Sequence, residues 1–170
     1  YDCILKLDEI LGDIIQRLKE DGHYDNTTIF FFTDHGMRLP RHKQFLYEGG
    51  IRVPLIVAGP GIPEGQVRDD LVSGLDISGS TLAAAGIRIP DHMFGQDMFD
   101  PHFHREYVVS HRDRCDFTID RIRAVTSKCY KYIRNFFTEK PYMQSNYRDD
   151  WETFKVIKQL YKEGKLNEVQ

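Results

Sequence analysis

Residues 28 to 33 read TIFFFT, an unbroken run of β-formers, and the next three residues are Asp34, His35 and Gly36. A short continuous apolar run that does not alternate with polar residues predicts a strand covered on both faces, as in the interior of a parallel sheet. A chain that carries such a strand must supply helices to cover it, which narrows the architecture to the α/β class.

The surrounding pattern agrees. Ile4, Leu7, Leu11, Ile14, Ile15 and Leu18 recur at helical spacing, predicting a helix from Asp2 to Glu20 that stops at Asp21-Gly22. Val53 to Val57 predicts a second strand, with Pro54 at its start and Gly59-Pro60-Gly61 breaking it, and Leu75 to Ala85 a helix with Asp76 near its beginning. Glu106 to Val109 reads as a further strand. Arg121 to Thr126 and Tyr130 to Arg134 alternate about Ser127-Lys128-Cys129, predicting an antiparallel hairpin, and Trp151, Phe154, Ile157 and Tyr161 line a helix closing at Gly164. The expected fold is a mostly parallel sheet flanked by helices, followed by a C-terminal hairpin and helix, with a core over residues 1–105 and a small α+β subdomain over 106–170.

With 41 % hydrophobic and 29 % charged residues the chain can bury a core. A net charge of -3 gives no general pull toward nucleic acid or an anionic membrane, and no apolar run approaches the roughly 20 residues of a membrane span. Cys3, Cys115 and Cys129 are far apart and in no zinc or redox spacing. Asn26-Thr27-Thr28 fits the glycosylation pattern but reads better as a helix-to-strand turn.

The chemistry concentrates where the apolar strand ends, the edge at which functional groups gather in open α/β sheets. Asp34 offers a hard anionic oxygen and His35 a neutral nitrogen, a mixed pair that suits zinc, manganese or calcium and is too small to complete a metal site. Arg38, Arg41, His42, Lys43 and Arg52 follow, cations able to grip a tetrahedral oxyanion beside a metal. The blander reading of that loop is a solvated face. Ser110 to Asp116, SHRDRCD, follows a predicted strand, so His111, Arg112 and Arg114 are candidates for contacting anionic groups of a ligand. Tyr142, Tyr147 and Trp151 are candidates for a sugar platform, with a core role for Trp151 favoured.

The stretch IFFFTDHGMRLPRHKQFLYEGGIRVPLIVAGPG resembles the sulfatases of the alkaline-phosphatase superfamily, and the likeness extends to LDEILGDIIQRLKEDGHYDNTTI before it, LVSGLDISGSTLAAAGIRIPDHMFGQDM after it and the late hairpin RIRAVTSKCYKYIRNF. The nearest flavour is the branch acting on sulfated glycans, including N-sulfoglucosamine. The resemblance implies an alkaline-phosphatase-like fold, a sulfated carbohydrate substrate, Asp34 and His35 as ligands of a calcium ion (Ca2+), and Lys43 as a catalytic contact to the sulfate. Arg41 and His42 flank that lysine, and His111 and Arg114 complete the expected substrate set, while Glu48 and Arg52 brace the loop. It implies a periplasmic, secreted or lysosomal protein.

Sulfatases use a cysteine in a Cys-x-Pro/Ala-x-Arg segment, oxidised to formylglycine, and none of the three cysteines fits. The expectation is therefore a C-terminal portion of a sulfatase catalytic domain, inactive by itself. Two alternatives stand beside it. TDHGM also resembles zinc phosphodiesterases of the same superfamily, which lack the Lys43 and YEGGIRVPLIV continuation; a non-catalytic anion-binding remnant is the other.

Overall fold

A computed structural model describes residues 1–168. It divides into two compact units, and the division is not a single cut in sequence: residues 1–32, 55–69 and 73–103 form the first, and residues 33–54, 70–72 and 104 onward form the second.

In the first unit, α1 (Asp2–Glu20) is amphipathic, and its end is closed by Gly22 at φ +70° with the His23 amide returning to the Leu18 carbonyl at 2.8 Å. None of its residues is buried, so its apolar stripe stays partly open. A single 3-10 turn, Tyr24–Asn26, leads toward β1 (Ile29–Phe32), and the Thr27 hydroxyl donates to the His23 carbonyl, so the Asn-Thr-Thr tripeptide is the predicted turn.

β1 pairs with β2 (Leu55–Ala58) in an antiparallel two-stranded sheet, Phe31 opposite Ile56. The α/β class stands, but the parallel pairing expected at this strand is not what these residues make. Residues 33–54 bring the chain straight back along β1, where a parallel partner would need a long crossover. The aromatic run is half-covered rather than buried on both faces, with Phe32 exposed.

α3 (Gly74–Ala84) starts at Ser73 through a capping box with Asp76. Asp76 is fully buried: one carboxylate oxygen accepts from the Ser73 amide and the other from the Gln96 amide, each at 2.8 Å, while the Ser80 hydroxyl accepts from the Met98 amide. Buried polar groups thus fasten residues 95–98 along the helix.

The second unit is built on an antiparallel sheet, β3 (Val108–Cys115), β4 (Thr118–Thr126) and β5 (Lys131–Asn135), with β4 central. The predicted hairpin is β4–β5. The SHRDRCD run, expected to follow a strand ending at Val109, lies almost wholly inside β3, with a register shift between Arg112 and Arg114. Its alternation explains the polarity: Arg112 and Cys115 face inward with Asp120, Ile122 and Ala124, and the residues between face outward. A short helix, α2 (Glu48–Ile51), supplies Ile51, which packs with Leu46, Ile133 and Tyr142 against Ile122 and Ala124. α4 (Glu152–Lys162) buries Phe154, and a 3-10 turn, Tyr147–Asp150, precedes it with its own capping box from Asn146 and Asp149.

Candidate active-site loop

The loop over residues 33–54 contains Asp34, His35, Arg41, His42 and Lys43. Its shape is set by close backbone packing. The Gly36 amide donates to the Gly50 carbonyl at 3.0 Å, and a Cβ on Gly36 would lie 1.7 Å from the Gly49 carbonyl oxygen, so only glycine permits this approach. Gly50 is as constrained, its Cβ position falling 2.0 Å from the Phe45 carbonyl oxygen.

Asp34 and His35 project side by side where β1 ends. His35 Nδ1 lies 2.7 Å from the Gly36 carbonyl oxygen, which can only accept, so in the neutral ring that nitrogen carries the proton and Nε2 keeps its lone pair. Nε2 sits 3.6 Å from an Asp34 carboxylate oxygen, and the Asp34 side chain is 85 % exposed. An open carboxylate beside an imidazole whose other nitrogen is fixed by a carbonyl is a donor set that fits a divalent cation. Among the described residues no group of three or more His, Cys, Asp or Glu could hold a metal, so the pair by itself does not complete a coordination shell.

Lys43 is half-buried. Its amide donates to the Met37 carbonyl at 3.1 Å, and its ammonium lies 5.2 Å from the centre of the Tyr147 ring. Arg38 lies 5.3 Å from the Trp151 ring, and Tyr147 and Trp151 meet edge to face at 5.5 Å. Two loop cations therefore each rest on one ring of an aromatic pair. His42 packs its ring beneath Gly49, where an added Cβ would come within 2.6 Å of it, and Arg41 is exposed, at φ +61°.

Two buried arginines that sequence reasoning did not single out for this role hold the loop. Arg148 is fully buried and donates from Nη1 to the Lys43 carbonyl at 2.6 Å and from Nε to Asn146 Oδ1 at 2.9 Å. Arg112 donates from Nη1 to the next carbonyl, that of Gln44, at 2.7 Å, while its Nε and Nη2 grip buried Asp120. The Gln44 side-chain amide donates to Asp116, whose other oxygen accepts from the Tyr147 amide. Burial pushes the Arg148 guanidinium below its ordinary pKa, and burial raises the Cys115 thiol beside the two arginines. No apolar-polar alternation in SHRDRCD marks Arg112 as inward-facing, and the Asn-x-x-Asp pattern at Asn146 and Asp149 is a turn signal that does not point to Arg148.

Glu48 brackets the loop as expected, pairing with Lys131 of β5 and lying 3.8 Å from Arg52. His111 and Arg114 are placed elsewhere. They face outward from β3, on the side of the sheet opposite the inward-facing Arg112 that grips the loop.

The sulfatase family profile matches residues 1–87. The chain belongs to the sulfatase family. The match takes in Asp34, His35 and Lys43. This sulfatase chain is 37 % identical over its whole length to the ulvan-active sulfatase of Formosa agariphila, covering 29 % of that protein. It is 36 % identical over 51 % of its length to human N-acetylglucosamine-6-sulfatase, covering 16 % of it. A solved complex of a protein with its substrate D-glucosamine-2-N,6-O-disulfate superimposes with a TM-score of 0.66 at 21 % identity, covering 95 % of this sulfatase chain and 38 % of that one. That likeness is one of fold, and the fold is the alkaline-phosphatase-like one expected. The sulfatase chain thus spans less than a third of its curated relative from Formosa agariphila.

Proposed function

We propose that the whole protein hydrolyses sulfate ester or sulfamate groups of a sulfated glycan. The observation that carries this is the family membership of a chain whose Asp34-His35 pair is followed by a lysine in a glycine-packed, hydrogen-bonded loop. Support for the substrate class comes from relatives named for ulvan and for N-acetylglucosamine 6-sulfate.

In this reading Asp34 and His35 hold a calcium ion with further ligands from elsewhere in the protein. Bound there, calcium would draw charge from the sulfate oxygens. Lys43 contacts the sulfate through its ammonium, with Arg41 and His42 flanking it, and the carbonyl anchors at Lys43 and Gln44 fix where that ammonium starts from. Preset position matters because a donor that must reorganise stabilises developing charge less. The nucleophile, a formylglycine in this proposal, comes from outside these residues, as none of the three cysteines stands in the required segment. Cys115 is buried besides. Export or a lysosomal location goes with the same proposal.

The test is sulfate release from sulfated glucosamine by the full-length protein, after chelation and after adding back calcium or zinc, with a phosphodiester as competitor substrate. Sulfate release restored by calcium supports the reading, and Lys43→Ala is then expected to lower kcat by about 100- to 1,000-fold. Phosphodiester cleavage restored by zinc, with no sulfate release, overturns it.

A further inference from the structure

The outward face of the β3–β5 sheet has a charge pattern that stability alone does not account for. His111, Arg123 and Arg134 lie opposite one another in register across the three strands. Arg121 stands two residues from Arg123 on the same face, and Arg114, opposite Ile119, completes it. Like charges directly opposite one another across strands destabilise a sheet. Against four arginines and a histidine this face of the three strands carries one carboxylate, Asp113, which pairs with Arg123 at 2.7 Å. The whole chain, by contrast, is net negative, at -3.

The same face is open and partly aromatic. Val109, Val125 and Tyr132 form the neighbouring cross-strand row, and Tyr132 is 68 % exposed. The Arg134 guanidinium lies 4.5 Å from the centre of the exposed Phe136 ring. With strands about 4.8 Å apart, the His111–Arg123–Arg134 row spans about 10 Å, and Arg121 extends it by about 7 Å along β4. Guanidinium forks at such intervals beside flat rings suit a chain carrying several separated oxyanions on apolar-faced units.

We infer that this face binds an anionic polysaccharide chain at a surface separate from the Lys43 loop, holding the polymer while one sulfate is processed. The inference rests on the sulfated-glycan reading for the identity of the polymer, and its geometry does not depend on that reading. Arg112, inward from the same strand, grips the Gln44 carbonyl, so the outward residues point away from the loop.

The test uses full-length protein carrying Arg121→Gln, Arg123→Gln and Arg134→Gln together, and separately Asp113→Asn. Affinity electrophoresis in gels containing a sulfated polysaccharide reads binding, and sulfate release from a sulfated monosaccharide reads the loop. The triple variant is expected to bind the polymer about tenfold more weakly with monosaccharide turnover unchanged, and Asp113→Asn to bind more tightly. Unchanged polymer retention in both variants overturns the inference, as does a loss seen only toward anionic lipid vesicles or nucleic acid. If no sulfate is released from any substrate but the triple variant still loses polymer retention, the hydrolase reading fails and the binding face stands.

Discussion

The Arg148 guanidinium donates to the carbonyl oxygen of Lys43 at 2.6 Å from a site with no solvent exposure. The bond joins residues 105 positions apart in sequence, and it fixes the backbone from which the proposed sulfate-binding ammonium extends. Among the described residues Arg148 has no carboxylate within ion-pair distance; its charge is met by a carbonyl, an amide oxygen and the faces of Phe45 and Phe154 at 5.5 and 5.0 Å. Arg148→Met keeps much of the volume while removing the donors. The expected outcome is a small change in melting temperature, because an unpaired buried charge is removed along with its bonds, together with a loss of at least tenfold in kcat against sulfated substrate. Thermal unfolding and steady-state kinetics on the full protein check it, and unchanged kcat would show that the loop needs no such anchor.

Arg112 and Asp120 behave differently, since both are buried and each is the other's partner, with 6 and 1 % side-chain exposure. Asp120→Ala leaves a buried guanidinium without its carboxylate and is expected to cost about 3 to 5 kcal/mol. Replacing both residues with apolar ones of similar size should recover most of that. Denaturant unfolding of the single and double variants measures the difference, and a single variant as stable as the double one would contradict this account.

Gly36→Ala is expected to be among the most damaging small substitutions in the chain. The added carbon would meet the Gly49 carbonyl oxygen at 1.7 Å, backbone against backbone, with nothing flexible to yield. A loss of about 3 kcal/mol follows if the loop must shift as a whole. Gly12→Ala, where an added carbon meets nothing within 4 Å, serves as the control and should be neutral or slightly stabilising.

Tyr142 sets a limit at alkaline pH. Burial, reinforced by Tyr47 beside it, pushes its hydroxyl up from 10.0 to about 12. A group whose folded pKa lies above its unfolded value contributes stability below the unfolded pKa and loses it as pH rises through the folded one. Stability should therefore fall between about pH 10 and pH 12. In Tyr142→Phe that slope should be shallower, as measured by unfolding at a series of pH values; an identical slope would assign the alkaline loss to other groups.

Much of this was legible in the sequence, for reasons that differ by element. α1 was readable to its ends because its apolar spacing and Gly22 are local signals. The β4–β5 hairpin was readable because alternation and a polar break lie within a few residues of each other. The pairing of β1 was not, because an apolar run reports how apolar its surroundings are and says nothing of which strand lies beside it or in which direction. SHRDRCD misled for a related reason: a strand with one charged face and a buried arginine on the other resembles a loop to any reading based on polarity. In the site, Asp34, His35 and Lys43 were found through a contiguous motif. Arg148 and Arg112 were not assigned their anchoring roles because hydrogen bonds to main-chain carbonyls leave no trace in the partner's side-chain identity.

The pairing of β1 with β2 has one more consequence. A sheet of two strands has no interior: both of its members are edges, and each offers a free row of amide and carbonyl groups along its outer side. Recognition at such an edge is written in main-chain hydrogen bonds and is nearly indifferent to side-chain identity. An extended segment added at such an edge would be held by its main chain, so its side chains would be free to vary.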